Sequence, residues 1–162
     1  MKEYGELFAD DPQWAGRARS FSARVRDVSE LLVELGEPRA VRRPIAARVV
    51  YHDACHLAHA QQVRAQPRAL LASIPDVEVL TPAESEICCG SAGIYNLLES
   101  EAAQDLGARK AAHIASLSPD IVATANPGCM LQIAAAGRRL GFKWEIVHPI
   151  ELVERSIRGA NS

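Results

Sequence analysis

Val49-Val50-Tyr51-His52 runs directly into Asp53-Ala54-Cys55-His56, and this stretch decides how the rest of the chain reads. A short β-branched run bounded by polar residues is a strand, and the segment Pro67 to Ile74 after it reads as a short helix. The alternation then recurs downstream. Val77-Glu78-Val79-Leu80 precedes a long helical region from about Ile94 to Leu117, where Leu97, Leu98, Ala102, Leu106 and Ile114 share a face. Ile121-Val122-Ala123-Thr124 precedes a helix from Met130 to Leu140, and Trp144-Glu145-Ile146-Val147 precedes a closing helix from Ile150 to Ile157. Strands alternating with helices predict an α/β fold, a Rossmann-like four-stranded parallel sheet flanked by helices.

Upstream the pattern differs. Asp11-Pro12 suits a helix start, and Phe21, Val25, Val28, Leu31, Leu32 and Leu35 recur at three-to-four spacing until Gly36. One N-terminal amphipathic helix is expected, packed on the main domain, and Pro38 to Pro44 then form a linker. The division is 1–43 for the N-terminal helical segment and linker, 44–158 for the main domain and 159–162 for a tail.

Composition narrows the class. With 162 residues, 48% hydrophobic and 23% charged, the chain suits one domain with an appendage, and a net charge of -2 offers no footprint for nucleic acid. No run approaches the roughly 20 apolar residues of a membrane span, and Met1-Lys2-Glu3-Tyr4 lacks the apolar core of a secretory signal. A cytoplasmic chain is expected, attached to the inner membrane at most peripherally, through partners. In that compartment thiols serve more often as metal ligands or catalytic groups than as disulfides.

All four cysteines fit one pattern, C-x32-C-C-G-x38-C: Cys55, the pair Cys88 and Cys89, and Cys129. Each falls between a strand and its helix. In a parallel sheet those connections emerge at the carboxyl edge, where open α/β folds bind ligands, so residues distant in sequence converge. A closed thiolate site needs about four donors. Adjacent cysteines point apart and span two corners of a cluster better than they chelate one ion, which favours an iron-sulfur cluster over a single zinc. Gly90 and Gly93 let backbone N–H groups approach sulfur, and Asn126-Pro127-Gly128-Cys129 sets Cys129 at a helix N-terminus, where a thiol's pKa falls.

The histidines leave zinc open. His52, His56 and His59 surround Cys55 and His148 ends the fourth strand, so a Cys3His zinc site can also be written. His113, inside a helix, reads as structural. Asp53 either orients His52 or His56 or caps the following turn. Gln132 stands where Cys129-Met130-Leu131-Gln132 would otherwise complete a C-x-x-C pair, so one potential ligand is missing. No P-loop or dinucleotide fingerprint is present, and a thiol-disulfide enzyme fits poorly because neighbouring cysteines bridge only under strain.

With these residues in hand, the chain resembles the cysteine-rich, or CCG, domain family. The domain is shared by the iron-sulfur subunits of glycolate oxidase and lactate-utilisation complexes, by anaerobic glycerol-3-phosphate dehydrogenase in its C subunit, and by heterodisulfide reductase in its CCG-bearing subunit. The matching stretches are His52-Asp53-Ala54-Cys55-His56, Cys88-Cys89-Gly90-Ser91-Ala92-Gly93, Asn126-Pro127-Gly128-Cys129 with Gln132, and His148-Pro149-Ile150-Glu151-Leu152. The look is nearest to the C-terminal part of the glycolate oxidase iron-sulfur subunit, and it makes 44–158 the CCG domain.

The resemblance implies a longer protein, with a ferredoxin-like domain and a first CCG domain that this chain lacks. It implies a flavoprotein partner that oxidises a 2-hydroxy acid, glycolate or lactate, and electron relay toward a quinone-type acceptor. Cys55, Cys88, Cys89 and Cys129 become the ligands, with His52, Asp53, His56, His59, Gly90, Gly93, Gly128, Gln132 and His148 as supporting residues. Gln132 departs from family members whose fifth cysteine serves a noncubane cluster. A four-thiolate 4Fe-4S cluster is then expected. The alternative is a zinc-bound or metal-free structural and interaction domain of the same kind of complex. Catalysis by this chain alone is not expected.

Overall fold

The computed structural model describes residues 1–36 and 40–159. Four strands, β1 (Ala47–His52), β2 (Val77–Leu80), β3 (Ile121–Thr124) and β4 (Glu145–Val147), form one sheet in the order β2-β1-β3-β4, with every neighbouring pair parallel. Helix α4 (Ala65–Ala72) links β1 to β2, α5 (Tyr95–Leu98) and α6 (Ser100–Ala115) lie between β2 and β3, and α7 (Pro127–Arg139) links β3 to β4. Helix α8 (Pro149–Arg158) closes the fold. Chain direction turns outward on either side of β1 and β3, which makes the carboxyl edge between them the switch point where such sheets take ligands.

Alternation along β1 sorts the core into two layers. Val49 and Tyr51 join Leu70, Leu71, Ile74, Leu152 and Val153 on the face covered by α4 and α8. Val50 joins Cys89, Val122, Cys129 and Ile133 on the other face, with Ile114 of α6. The central strands are buried on both sides, so their sequences are continuously apolar rather than alternating.

The N-terminal helical segment is present, but it is divided. Helices α1 (Tyr4–Leu7), α2 (Ala15–Ser22) and α3 (Val28–Glu34) replace one continuous helix. Asp11 accepts from the Gln13 and Trp14 N–H groups at 2.9 and 3.1 Å in a turn ahead of α2, which starts at Ala15 rather than at Pro12 and has Trp14 as its N-cap. The break comes at Asp27, whose extended backbone (ψ 152°) and reciprocal capping box with Glu30 start a new helix. Of the anticipated apolar stripe only Leu32 packs on the sheet's α4 side, while Leu31 and Leu35 stay exposed and Phe21 stacks on Tyr4 at 5.7 Å. Pro38 of the expected linker and residues 160–162 of the expected tail lie outside the described residues.

The long helix after β2 is also divided. Glu99, with φ -116° and ψ 58°, leaves helical geometry and separates α5 from α6. The buried face of α6 is Ala103, Gly107, Lys110, Ala111 and Ile114, one position on from the anticipated stripe, and Leu97 and Leu98 are 77% and 71% exposed. The apolar spacing ran on through Glu99 because that residue carries no glycine or proline signal.

His148 serves α8 rather than the cysteine edge. Its Nδ1 accepts the Ile150 N–H at 3.2 Å while Glu151 accepts the His148 N–H at 2.8 Å. Burial holds the His148 imidazole below its ordinary pKa. The unfolded chain therefore takes the proton first, so this cap contributes fully above about pH 6.5 and is lost as pH falls below it. Melting curves should show His148→Asn, a neutral cap, losing less stability than wild type between about pH 7 and about pH 5. Parallel losses in both proteins would remove His148 as the source.

Candidate metal centre

Three segments bring the four cysteines together. Cys55 stands just past β1 and opens a single π-helical turn, His56–Ala60. Cys88 and Cys89 lie in the loop between β2 and α5. Cys129 sits inside the first turn of α7, because Asn126 accepts its N–H at 3.1 Å and Pro127 fills the first helical position. The helix thus starts three residues earlier than the sequence pattern suggested, and it carries Cys129 on its N-terminal end. All four thiols are free and line one cavity of about 100 Å³, walled further by His56, Ser91, Gly93 and Asn126.

Two glycines make this approach possible. Gly90 has φ +88°, and a Cβ there would stand 2.4 Å from the Ala103 carbonyl oxygen of α6. A Cβ on Gly128 would lie 2.6 Å from Ser91 Oγ and 3.1 Å from Asn126 Oδ1, so with glycine there the start of α7 closes on the Cys89 loop without either side chain turning aside. The Gly90 N–H donates to Cys88 Sγ at 3.3 Å, the type of bond that steadies a thiolate.

The thiols divide by depth. Cys89 and Cys129 are 1% and 4% exposed, while Cys55 and Cys88 are partly open. In the deep pair the Cys129 thiol donates to Cys89, which is the main reason Cys89 is pulled down to about 4, with the His52 ring and the Ser91 N–H acting in the same direction. Cys129 is correspondingly pushed up, first by that bond and then by burial. Burial, followed by the charge of Cys88, raises Cys55. A metal replaces such shared protons, so this donor set is suited to deprotonated ligation.

The loop leading into Cys88 is clasped from two sides. Lys110 of α6 is 2% exposed and its Nζ donates to the Glu84 and Ser85 carbonyls. Burial lowers its pKa. Glu84, at φ +52°, pairs through its carboxylate with Arg109 and with His113 at 3.1 Å. From the Cys55 side, His59 Nε2 donates to the Glu86 carbonyl at 3.3 Å, and Arg64 pairs with the Glu86 carboxylate. Lys110 was missed in the sequence because a lysine among alanines reads as a solvated position. Its place three residues after Gly107 on the buried face is the signal that could have found it.

The remaining supporting candidates scatter. His56 stands exposed at the cavity wall. His59 is tied to the loop clasp and His148 to α8, so neither joins the cavity lining. Asp53 orients no histidine: its carboxylate holds Arg68 through bonds of 2.7 and 2.6 Å, on the opposite face of the sheet, and Arg68 lies over the Tyr51 ring. Gln132 donates Nε2–H to the Ala103 carbonyl at 3.1 Å, clipping α7 to α6 beside Gly90. His52 alone of the histidines is grouped with the deep thiols: its ring nitrogen and the Sγ atoms of Cys89 and Cys129 lie within 4.8 Å of one another. Among the described residues no helix is long and apolar enough to cross a membrane.

A family model described as a cysteine-rich domain, CCG, matches residues 49–134. Over 158 residues the chain is 36% identical to the probable glycolate oxidase iron-sulfur subunit of Bacillus subtilis (strain 168), covering 94% of this chain and 35% of that protein. It is 34% identical over 158 residues to the glycolate oxidase iron-sulfur subunit of Escherichia coli (strain K12), covering 97% of this chain and 37% of that protein. With lactate utilization protein A of Shouchella clausii (strain KSM-K16) it shares 27% identity over 148 residues, 91% of this chain and 62% of the relative. The chain therefore spans little more than a third of the first kind of relative and under two thirds of the second.

Proposed function

The chain belongs to the cysteine-rich CCG domain family, and on that premise we propose that residues 44–158 form a domain that holds an iron-sulfur cluster within a 2-hydroxy-acid oxidoreductase complex. The observation that carries this reading is the convergence of four free thiols from three strand-to-helix connections on one cavity of about 100 Å³. Four thiolates at separate corners match a 4Fe-4S cluster, and the donor set is soft, as iron-sulfur ligation requires. When bound, such a cluster supplies a store for one electron at the carboxyl edge.

The protein's own groups set the conditions for that store. Cys89 and Cys129 lie in the apolar layer around Val50, Val122 and Ile133, which keeps water from the deep side. Cys55 and Cys88 are partly exposed, so the shallow side is the route by which a partner's redox group would approach. The Gly90 N–H at Cys88 Sγ and the buried Lys110 ammonium both offset negative charge, and both push a cluster's potential upward.

In the complex the donor is a flavoprotein oxidising glycolate or lactate and the acceptor is of quinone type, with the chain on the cytoplasmic side. The glycolate oxidase and lactate utilization names of the relatives support the hydroxy-acid part of this reading, and the donor, the acceptor and the side are part of the proposal. Metal and acid-labile sulfide on the anaerobically reconstituted full chain test the reading. About four irons and four sulfides per chain are expected, with visible absorption that bleaches on reduction. One zinc without sulfide, or no metal, would replace it with a structural domain.

A further inference from the structure

The hairpin of α1 and α2 carries a groove that the domain's own packing leaves uncovered. Helix α1 closes on α2 at Gly5, whose N–H donates to Ser22 Oγ at 2.9 Å, and a Cβ there would meet the Arg19 backbone at 3.4 Å. Four of the chain's eight aromatic side chains, Tyr4, Phe8, Trp14 and Phe21, then line a groove of about 640 Å³. The rings are ordered against one another: Tyr4 stacks on Phe21 at 5.7 Å and meets Phe8 edge-on at 6.2 Å. None of them joins either layer of the sheet's core, and Tyr4, Trp14 and Phe21 are exposed. Apolar surface gathered in one exposed place, rather than scattered singly, marks an interaction site. Two cations line the same groove. Arg17 lies over the Trp14 ring at 4.7 Å and Arg24 donates Nε–H to the Ser20 carbonyl at 3.3 Å, yet neither has a carboxylate partner among the described residues.

We propose that this groove docks an amphipathic helix of a partner protein, with the helix's apolar side chains on the rings and its flanking carboxylates on Arg17 and Arg24. An aromatic centre with arginines beside it is the composition of an interface whose binding energy sits in a few residues. Three of the four rings are open to solvent, so the groove is a trough rather than an enclosed pocket. A helix laid along it fits better than a small molecule, whose surface a binding cavity buries by roughly 70–90%. A membrane surface fits less well, because Glu3, Glu6, Asp10 and Asp11 stand on the same hairpin and repel anionic headgroups. A second copy also fits less well. A two-fold interface would match the groove with itself, and its lining holds two guanidiniums and no carboxylate. The hairpin is braced to the rest of the domain by Lys2, which pairs with Glu30 of α3 at 2.6 Å, and α3 packs on the sheet's α4 side through Leu32. A helix seated in the groove is thereby tied to the body that carries the cysteines.

The probe is a synthetic four-turn peptide with leucines at i, i+3, i+4 and i+7 and glutamates flanking them, set against a copy with lysines in place of the glutamates. Calorimetric titration into the full chain should show the glutamate peptide binding, and the lysine peptide binding at least about 10-fold more weakly. Arg17→Glu combined with Arg24→Glu should invert that preference, and Trp14→Ala should weaken the glutamate peptide by about 10-fold or more. These changes lie on exposed positions outside the core, so the variants should melt near wild type. Emission from Trp14, read in a Trp144→Phe chain, should move to shorter wavelength as the groove fills. Equal binding of the two peptides, an unchanged preference in the reversed-charge variant, full binding by Trp14→Ala, or no binding of either peptide would overturn the proposal. Binding to phosphatidylglycerol vesicles by a chain that ignores both peptides would replace it with a membrane site. Self-association in sedimentation that Trp14→Ala abolishes would replace it with a contact between copies. The hairpin holds no cysteine, so metal-free and iron-loaded chains should bind alike, and failure here leaves the iron-sulfur reading standing.

Discussion

Cys89→Ser is expected to leave the full chain unable to retain iron and sulfide after anaerobic reconstitution, with loss close to complete. Cys89 lies between Cys129 and His52 at 1% exposure, and its depressed thiol, at about 4, is the most readily ionised of the deep donors. A serine hydroxyl does not ionise in water near neutral pH, and in the same apolar layer it is harder still to charge. The fold should survive, because the swap preserves volume and costs about 1–3 kcal/mol for a buried hydroxyl. Iron and sulfide assays read the loss, and melting of the metal-free form controls for folding. Retention near the wild-type level would exclude Cys89 from the ligand set. Cys55→Ser, at the partly open rim, should lose less, since water and His56 can reach that corner.

Gly90→Ala should lower stability by roughly 3 kcal/mol, while Gly93→Ala costs about 1–2 kcal/mol. Both glycines have positive φ, +88° and +63°, so each alanine carries the left-handed penalty. Their surroundings differ. Beside Gly93 a Cβ meets nothing within 4 Å, whereas beside Gly90 it meets the Ala103 carbonyl oxygen at 2.4 Å. That oxygen is backbone, and it also accepts from Gln132, so relief requires moving the start of α6 away from α7. Denaturant unfolding of the two variants provides the comparison, and equal losses would mean that the loop relaxes freely around Gly90. Because the same movement would shift the Cys89 loop, Gly90→Ala should also impair metal retention, and Gly93→Ala should do so far less.

The parts of this molecule that were legible in sequence are those written in local pattern. The run Val49 to His52 is too short and too β-branched for a helix, and its counterparts downstream set a parallel sheet whose edge had to gather Cys55, Cys88, Cys89 and Cys129. What escaped depends on partners remote in sequence or on backbone angles. Asp53 meets Arg68, a turn and a helix away, and nothing near Asp53 announces that pairing. The break at Glu99 uses an ordinary residue in an unusual conformation. The capping box at Asp27 and Glu30 was visible as letters, but a continuous apolar spacing across it favoured one helix. Lys110 hid behind its own charge. His52 was one histidine among several near Cys55, although alternation from Val50 already pointed it toward the thiols and sent Asp53 the other way.

The strand order has a consequence for biosynthesis. β1 is central and pairs with β3 through Val49 and Ile121, so its ladder cannot be completed until the third strand has left the ribosome. At roughly 5–20 residues per second, on the order of 2–8 s separate the emergence of Cys89 from that of Cys129. During that interval the nascent chain presents three thiols without the fourth and without the apolar layer that will shield them. Metal delivered then would meet an open, incomplete set of donors. Loading is therefore expected only once Cys129 has emerged, and it depends on a reducing surrounding that keeps the early thiols apart until the last one arrives.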